Sequence, residues 1–239
     1  MMSRDFLLRN YYVTTIIAAA GIGNRMNFNI NKQFIPINGK PLIQHTIEVF
    51  DSIPEIDHII LLVREGEDEV INSIISSMAL KHSISIVYGG KERQDSIYKG
   101  LMQTPSQTDI IITHDGARPF VTKNEIFQII EASILYGAAC LMTPMKDTIK
   151  ISEDGLWAKV TPDRSKLFAV QTPQAFSKEI LKKAYEQAYS EGYYGTDDCS
   201  LVEKTGHGIR LVKGSYNNIK ITTQEDLLLA ELIEKKIKK

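Results

Sequence analysis

The sequence has few cysteines, no long apolar run and almost no net charge, and each scarcity excludes a class of protein. Its 2 cysteines in 239 residues, Cys140 and Cys199, are too few for a disulfide framework and have no metal-ligand spacing. No stretch approaches the ~20 apolar residues of a membrane span. A net charge of −1 argues against generic binding to nucleic acid or anionic membranes, so an anionic ligand needs a local cluster of cations. We therefore expect a cytoplasmic protein with no nucleic-acid or membrane partner.

What the sequence does contain is a regular alternation of apolar runs and amphipathic segments. With 43% hydrophobic and 24% charged residues, it has the composition of one globular domain, which we assign to residues 1–239. Strands are predicted at 13–17, 57–63, 83–88, 109–113 and 138–143, with helices at 41–50, 67–80, 93–102 and 123–136. This order predicts an α/β fold: a Rossmann-like, mostly parallel sheet flanked by helices on both faces.

A change of pattern after residue 143 predicts a projecting arm. Residues 148–151 alternate polar and apolar side chains, Asp154-Gly155 is typical of a hairpin turn, and a second strand is predicted at 156–160. Such a β-hairpin arm, at about 147–168, has no core of its own. We therefore expect it to pack on a second copy of the chain, with Trp157 as an anchor, and to form a homodimer.

The remaining segments complete the alternation. A strand is predicted at 167–170, helices at 178–190 and 198–205, and a strand at 209–212. The last helix is expected to begin at a capping box formed by Thr222 and Glu225. Its apolar stripe comprises Leu229, Leu232, Ile233 and Ile237.

The first strand runs into a loop of small residues, and this loop predicts a phosphate site. Alanines and glycines from Ala18 to Gly23 let a ligand approach the backbone, and glycine permits a turn that presents N–H groups to an anion. Two cations, Arg25 and Lys32, follow. The dinucleotide fingerprint is disfavoured because Met26 stands where its third glycine belongs and no acid follows at the required spacing. A Walker loop is disfavoured because no Gly-Lys-Ser/Thr follows.

Five further motifs narrow the chemistry. The loop with Lys32-Gln33-Phe34 resembles the triphosphate loop of sugar-phosphate nucleotidyltransferases. The other motifs, in chain order, are GGKERQDS at 89–96, HDGARPF at 114–120, QTPQAF at 171–176, TDD at 196–198 and NIK at 218–220. Together the six resemble the 2-C-methyl-D-erythritol 4-phosphate cytidylyltransferase family from about residue 13 to residue 232.

The resemblance implies a reaction of non-mevalonate isoprenoid biosynthesis. CTP and methylerythritol phosphate would give CDP-methylerythritol and pyrophosphate by in-line attack of the substrate phosphate on the α-phosphorus. Because that phosphate is already ionised, the site needs no general base. It needs cations and a divalent metal, Mg²⁺ or a similar ion, to neutralise the reacting anions.

The resemblance also implies roles for particular residues. The catalytic cations would be Arg25, Lys32, Arg164 and Lys220, with Arg164 reaching across the dimer from the arm. The nucleotide would be bound by Ala19, Ala20, Gly21, Gly23, Gly90, Arg93 and Ser96. The acceptor would be bound by Asp115, Arg118, Thr148, Arg164, Thr172, Thr196 and Lys220. Asp115 would also hold the metal, whereas Asn217 stands where many family members have a second acid, so the second metal ligand stays open.

Other interpretations remain open at this point. A ribitol-5-phosphate cytidylyltransferase would share the fold and loop, although Ala-Ala-Gly at 19–21 and TPDR at 161–164 favour the methylerythritol family. A non-catalytic nucleotide-binding protein of the same fold would not need Arg25 and Lys32. A nicotinamide oxidoreductase is the least favoured, because of Met26 and the missing acid.

Overall fold

A computed structural model describes residues 10–21 and 31–237 of the chain. Its strands are β1 (Val13–Ala18), β2 (Pro36–Ile37), β3 (Lys40–Pro41), β4 (His58–Val63), β5 (Ser83–Tyr88), β6 (Ile110–Asp115), β7 (Ala138–Pro144), β8 (Phe168–Ser177) and β9 (Arg210–Lys213). Its α-helices are α1 (Leu42–Asp51), α2 (Asp68–Ser76), α3 (Arg93–Met102), α4 (Lys123–Tyr136), α5 (Lys178–Ser190), α6 (Asp198–Lys204) and α7 (Gln224–Ile237).

Seven strands form the central sheet in the order β5-β4-β1-β6-β8-β7-β9. Strand β8 pairs antiparallel with both neighbours, and the other pairings described in this sheet are parallel. Helices α1, α2 and α4 contribute to the core cluster on one face, and α3, α5 and α6 to the cluster on the other. Ile59 and Ile60, neighbours on β4, are both fully buried in different clusters, as alternation along a strand requires. The predicted α/β fold with a mostly parallel sheet is confirmed.

Strand β8 is longer than the predicted strand at 167–170. Its polar residues Gln171, Thr172 and Gln174 interrupt the apolar pattern, yet all three are buried and hydrogen-bonded to distant residues. The pairing with β7 shifts register here: Met142 pairs with Val170 and Cys140 with Gln174. Three residues of β8 therefore lie opposite one residue of β7, which is a bulge that redirects side chains.

The arm is less regular than predicted. The expected strands at 148–151 and 156–160 are reduced to one bridge, between Ile151 and Val160. One oxygen of Asp154 accepts hydrogen bonds from the backbone N–H groups of Leu156 and Trp157, at 2.9 and 3.0 Å. These bonds stabilise a compact tip and use donors that a second strand would have needed.

The capping residue of the last helix lies one position later in the chain than predicted. Asp226 accepts from the Thr223 N–H at 2.9 Å and donates its own N–H to Thr223 Oγ1 at 3.3 Å, so the capping pair is Thr223 and Asp226. The predicted stripe was also wrong in part: Ile233 is buried, but Leu229, Leu232 and Ile237 are exposed. Helix α7 packs instead through Ala230 and Ile233 against a small cluster around β2. Over the described ranges, each helix falls short of the length or apolar character needed to cross a membrane.

Candidate active site

A cleft of about 580 Å³ opens at the carboxyl ends of the parallel strands, where ligands bind in open α/β sheets. The ends of β1 and β6, the turn after β5 and the segment before α7 form its walls. Its lining residues are Ala18, Ala20, Gly21, Lys32, Gln33, Arg64, Gly90, Lys91, Glu92, Arg93, Ser96, Asp115, Ala117, Lys220 and Thr222.

The turn after β5 packs tightly on the end of β1. The Gly90 N–H donates to Ser96 Oγ at 2.9 Å, and the same hydroxyl donates to the Glu92 carbonyl at 3.0 Å. A Cβ on Gly89 would collide with the side chain of Ala20, so only glycine allows this approach. Ala20, Gly90 and Ser96, all predicted to bind the nucleotide, therefore line one cleft. Ala19, also predicted, lies beside them but is buried in the core.

Asp115, the last residue of β6, is the centre of the charged part of the cleft. Its Oδ2 lies 2.7 Å from Lys220 Nζ and 3.9 Å from Arg118 Nε, and its Oδ1 accepts from Arg93 Nε at 3.1 Å. Its backbone N–H donates to Thr172 Oγ1 at 3.0 Å. The structure thus brings together five residues that are separate in sequence and that the resemblance assigned to the site.

Ion pairing, rather than exposure, keeps this cluster charged. Burial raises the pKa of Asp115, which is 7% exposed, but Arg93, Lys220 and Arg118 outweigh it and hold that pKa well below its usual range. Burial opposes charge on Arg93 too, yet Asp198 and Asp115 raise its pKa above the ordinary value. Burial lowers the pKa of the neighbouring His114 to about 3. The cleft therefore holds an ionised carboxylate and cations at neutral pH, beside a neutral imidazole.

Lys32 reaches the cleft from the other side. It begins a short 3₁₀ turn, Lys32–Phe34, which is capped by Asn31. Its Nζ donates to the carbonyl of Ile221 at 3.3 Å, one residue beyond Lys220. Gly21 also lines the cleft, whereas the predicted residues Gly23 and Arg25 lie outside the described ranges.

Five predicted acceptor residues are absent from the cleft lining of their own chain. Arg118 and Thr172 still contact Asp115, but the other three do not. Thr148, Arg164 and Thr196 are exposed, and Arg164 Nη1 donates to the carbonyl of Lys146 at the base of the arm, at 2.6 Å. Asn217 is exposed as well. Within residues 10–21 and 31–237, no group of three or more His, Cys, Asp or Glu side chains could hold a metal ion.

Sequence reasoning assigned no role to several residues that shape the site. Asp198, 1% exposed, accepts from Arg93 Nη2 at 3.0 Å. Asn218 is buried, donates to the Thr172 carbonyl at 2.9 Å and accepts from Arg118 at 2.7 Å through its own carbonyl. Both belong to recognised motifs, so motif membership was the available signal. Arg64 also lines the cleft, and its place after a predicted strand was a second signal.

The chain is similar to known proteins over most of its length. The sequence profile of the family described as 2-C-methyl-D-erythritol 4-phosphate cytidylyltransferase (IspD) matches residues 13–236. The chain belongs to this family.

Individual family members are similar over nearly their whole length. A 2-C-methyl-D-erythritol 4-phosphate cytidylyltransferase from Clostridioides difficile is 48% identical over 220 residues, covering 92% of each chain. One from Desulforamulus reducens is 43% identical over 225 residues, covering 94% of this chain and 96% of its own. These relatives support the methylerythritol assignment over the ribitol alternative.

A solved structure agrees with the fold. The 4-diphosphocytidyl-2C-methyl-D-erythritol synthase from Anaerococcus prevotii superposes with a TM-score of 0.87 at 33% identity, covering 96% of this chain and 99% of its own. Family membership is therefore supported by sequence and by architecture.

Proposed function

We propose that this chain transfers the cytidylyl group of CTP to 2-C-methyl-D-erythritol 4-phosphate and releases pyrophosphate, as the names of its relatives state for those proteins. The observation that carries the proposal is the ionised Asp115, held between Arg93 and Lys220 in a cleft whose wall is the glycine turn after β5. A site for two phosphorylated substrates needs this combination of small residues and cations.

The reaction requires the negative charges of its two substrates to be neutralised, and it requires no proton transfer. A phosphate oxygen of the acceptor forms a bond to the α-phosphorus of CTP. The bond between the α-phosphorus and the oxygen that bridges it to the β-phosphorus breaks, and pyrophosphate leaves. Lys220 would hold the attacking phosphate, and Lys32, with Arg25, would bind the triphosphate. Because the attacking oxygen carries its charge at neutral pH, the neutral His114 is not needed as a base. Cations placed before substrate arrives stabilise the transition state without reorganisation.

A divalent cation such as Mg²⁺ fits the donor set in part. Mg²⁺ binds one or two carboxylates together with substrate phosphates, and Asp115 is the ionised carboxylate available for it. When bound, the cation would reduce repulsion between the two anionic substrates. Asn217 is exposed, so we assign the metal to Asp115 and phosphate oxygens.

We also propose that the arm, residues 147–168, joins two copies of the chain. Ile151, Leu156, Trp157 and Val160 are exposed on it, an apolar surface that a monomer would not retain without a use. In such a homodimer, Arg164 and Thr148 of each chain would complete the acceptor site of the other. The two buried free thiols suit a reducing cytoplasm, to which we assign the protein.

The test of the function is pyrophosphate release with CTP and Mg²⁺, comparing methylerythritol phosphate with ribitol 5-phosphate. We expect the higher kcat/KM with methylerythritol phosphate. Faster turnover of ribitol 5-phosphate would overturn the choice of acceptor, and no release with either would overturn the cytidylyl-transfer proposal.

A further inference from the structure

A buried chain of polar groups runs from the cleft into the helices behind it. We propose that Tyr185, on α5, is a positioning residue that acts through Asp198 to fix the guanidinium of Arg93 beside Asp115. The proposal rests on the function proposed above, and it adds a residue that neither the motifs nor the cleft lining includes.

The first link is the bridge that Arg93 makes between two carboxylates. Its Nε donates to Asp115 Oδ1 at 3.1 Å and its Nη2 donates to Asp198 Oδ2 at 3.0 Å. A guanidinium is planar and its donors have fixed directions, so two such bonds determine both the place and the orientation of the group. Asp115 alone would fix one end and leave rotation about it.

The second link is the hydroxyl of Tyr185. It donates to Asp198 Oδ1 at 2.5 Å, while Arg93 donates to Oδ2, so each oxygen of this carboxylate accepts a hydrogen bond. Asp198 is 1% exposed and Tyr185 is fully buried. A buried carboxyl group needs protein partners because burial removes its hydrogen bonds to solvent. The tyrosine ring stacks on Tyr98, with centroids 5.7 Å apart, which restricts movement of the hydroxyl.

Protonation of the tyrosine supports this role. Burial and the nearby Asp198 raise the pKa of Tyr185 well above its ordinary value, so the phenol stays a donor at working pH. When substrate phosphates and a cation compete for Asp115 and Lys220, the Asp198 end of Arg93 keeps its partner. The chain therefore preserves a cation at the cleft wall while its other contacts change, a form of preorganisation.

The chain provides a matched control one turn further along α5. Tyr189 belongs to the same aromatic cluster, but its hydroxyl donates to Asp95 Oδ1 at 2.8 Å. Tyr185→Phe and Tyr189→Phe each remove one hydroxyl and preserve the ring. We expect Tyr185→Phe to lower kcat for pyrophosphate release about tenfold and Tyr189→Phe to stay within about twofold of the parent. Equal kcat in the two variants would overturn the proposal, because it would show a common packing effect or none.

A double-mutant cycle tests whether the effect passes through Asp198. In an Asp198→Asn background the hydroxyl of Tyr185 no longer supports a charged partner of Arg93. We expect Tyr185→Phe to cost less than about twofold there, since residues that act as one unit are not additive. A tenfold loss in that background would mean that Tyr185 acts by another route and would overturn the proposal.

A spectroscopic readout separates this inference from the proposed function. The Nε–H resonance of Arg93, assigned by its loss in Arg93→Lys, should shift in ¹⁵N correlation spectra of Tyr185→Phe and exchange faster with water. It should be unchanged in Tyr189→Phe. If the parent protein released no pyrophosphate, the cytidylyl-transfer proposal would fail while this signal still reported on Arg93. An unchanged Arg93 signal in Tyr185→Phe would overturn the positioning role.

Discussion

The cleft and the arm distribute their side chains in opposite ways. In and behind the cleft, carboxyl groups are buried: Asp115 and Asp198 are 7% and 1% exposed. On the arm, apolar groups are in solvent: Leu156 and Trp157 are 84% and 79% exposed. Both depart from the usual partition of residues between core and surface. In our proposals, each departure is explained by a binding partner. The cleft binds a phosphorylated substrate, and the arm binds a second copy of the chain.

The two regions differ in how many of their stabilising contacts are made within a single chain. The carboxyl groups of Asp115 and Asp198, in and behind the cleft, have partners within one chain, namely Arg93, Lys220 and Tyr185. The arm has a single backbone bridge and a turn held by Asp154. We therefore expect substitutions in the cleft to change chemistry within an unchanged assembly, and substitutions on the arm to change the assembly first.

The largest expected effect is on the charge of the cleft. Lys220→Met removes the cation 2.7 Å from Asp115 at nearly constant length. We expect pyrophosphate release to slow by about 10²–10³-fold, or roughly 3–4 kcal/mol of barrier, as for loss of a preorganised transition-state contact. Lys204→Met, which removes an exposed ion pair to Glu191, is the control and should keep the parent rate. A loss of less than about tenfold in Lys220→Met would contradict the role of Lys220.

On the arm, Leu156→Asp should act on association. Placing a carboxylate in an apolar contact is expected to weaken dimerisation by about 100-fold or more, measured by sedimentation equilibrium. Activity should fall together with the dimer, since Arg164 would be withdrawn. Leu135→Asp alters another exposed leucine, on α4 rather than on the arm, and should leave association intact. An unchanged dimer in Leu156→Asp would remove the proposed function of the arm.

A smaller effect is expected where β8 supports the cleft. Thr172→Val removes the acceptor of the Asp115 N–H and leaves that buried donor unsatisfied, a cost of about 1–3 kcal/mol. We expect about a tenfold loss in kcat and a lower midpoint of thermal unfolding. Thr172→Ser restores the hydroxyl and should recover most of the rate. Failure of serine to rescue would indicate that the methyl group, rather than the hydrogen bond, matters.

The smallest expected effect concerns a buried histidine that is kept neutral by burial and forms no part of the ion-paired cluster. Burial lowers the pKa of His58, at the start of β4, below 6.5. As the pH falls below 6.5 the unfolded chain binds a proton that the folded chain resists, so stability decreases, by at most about 1.4 kcal/mol per pH unit. His58→Gln should flatten the dependence of unfolding free energy on pH between 7 and 5.5. Parallel curves for the two proteins would contradict the assignment.

The sequence predicted best those elements whose signals are local. Helix α4 has its predicted bounds because its Thr122–Glu125 capping box and the left-handed Gly137 at its end are adjacent to it. Strand β8 was predicted too short because its polar residues are satisfied from far away: Gln171 by Asn218 and Gln174 by Asp197. No local pattern predicts such contacts.

The same distinction applies to the site. Motif matches predicted that Arg93, Asp115 and Lys220 belong to one site, and the structure places them within hydrogen-bonding distance. The link from Asp198 to Tyr185 joins two helices through side chains alone. The spacing of Asp198 and Tyr185 in the sequence does not predict this hydrogen bond. It becomes visible only in the three-dimensional structure.

The bulge in β8 has a consequence for how the sequence can evolve. Three residues separate Phe168, at the root of the arm, from Thr172, whose hydroxyl accepts a hydrogen bond from the Asp115 N–H. Side chains alternate along a strand, so one inserted or deleted residue between them would turn Thr172 to the opposite face. The tip of the arm beyond the Ile151–Val160 bridge has no such register to maintain. Among descendants of this gene, insertions and deletions should therefore accumulate at the tip and be absent from residues 168–174, where substitution is the only tolerated change.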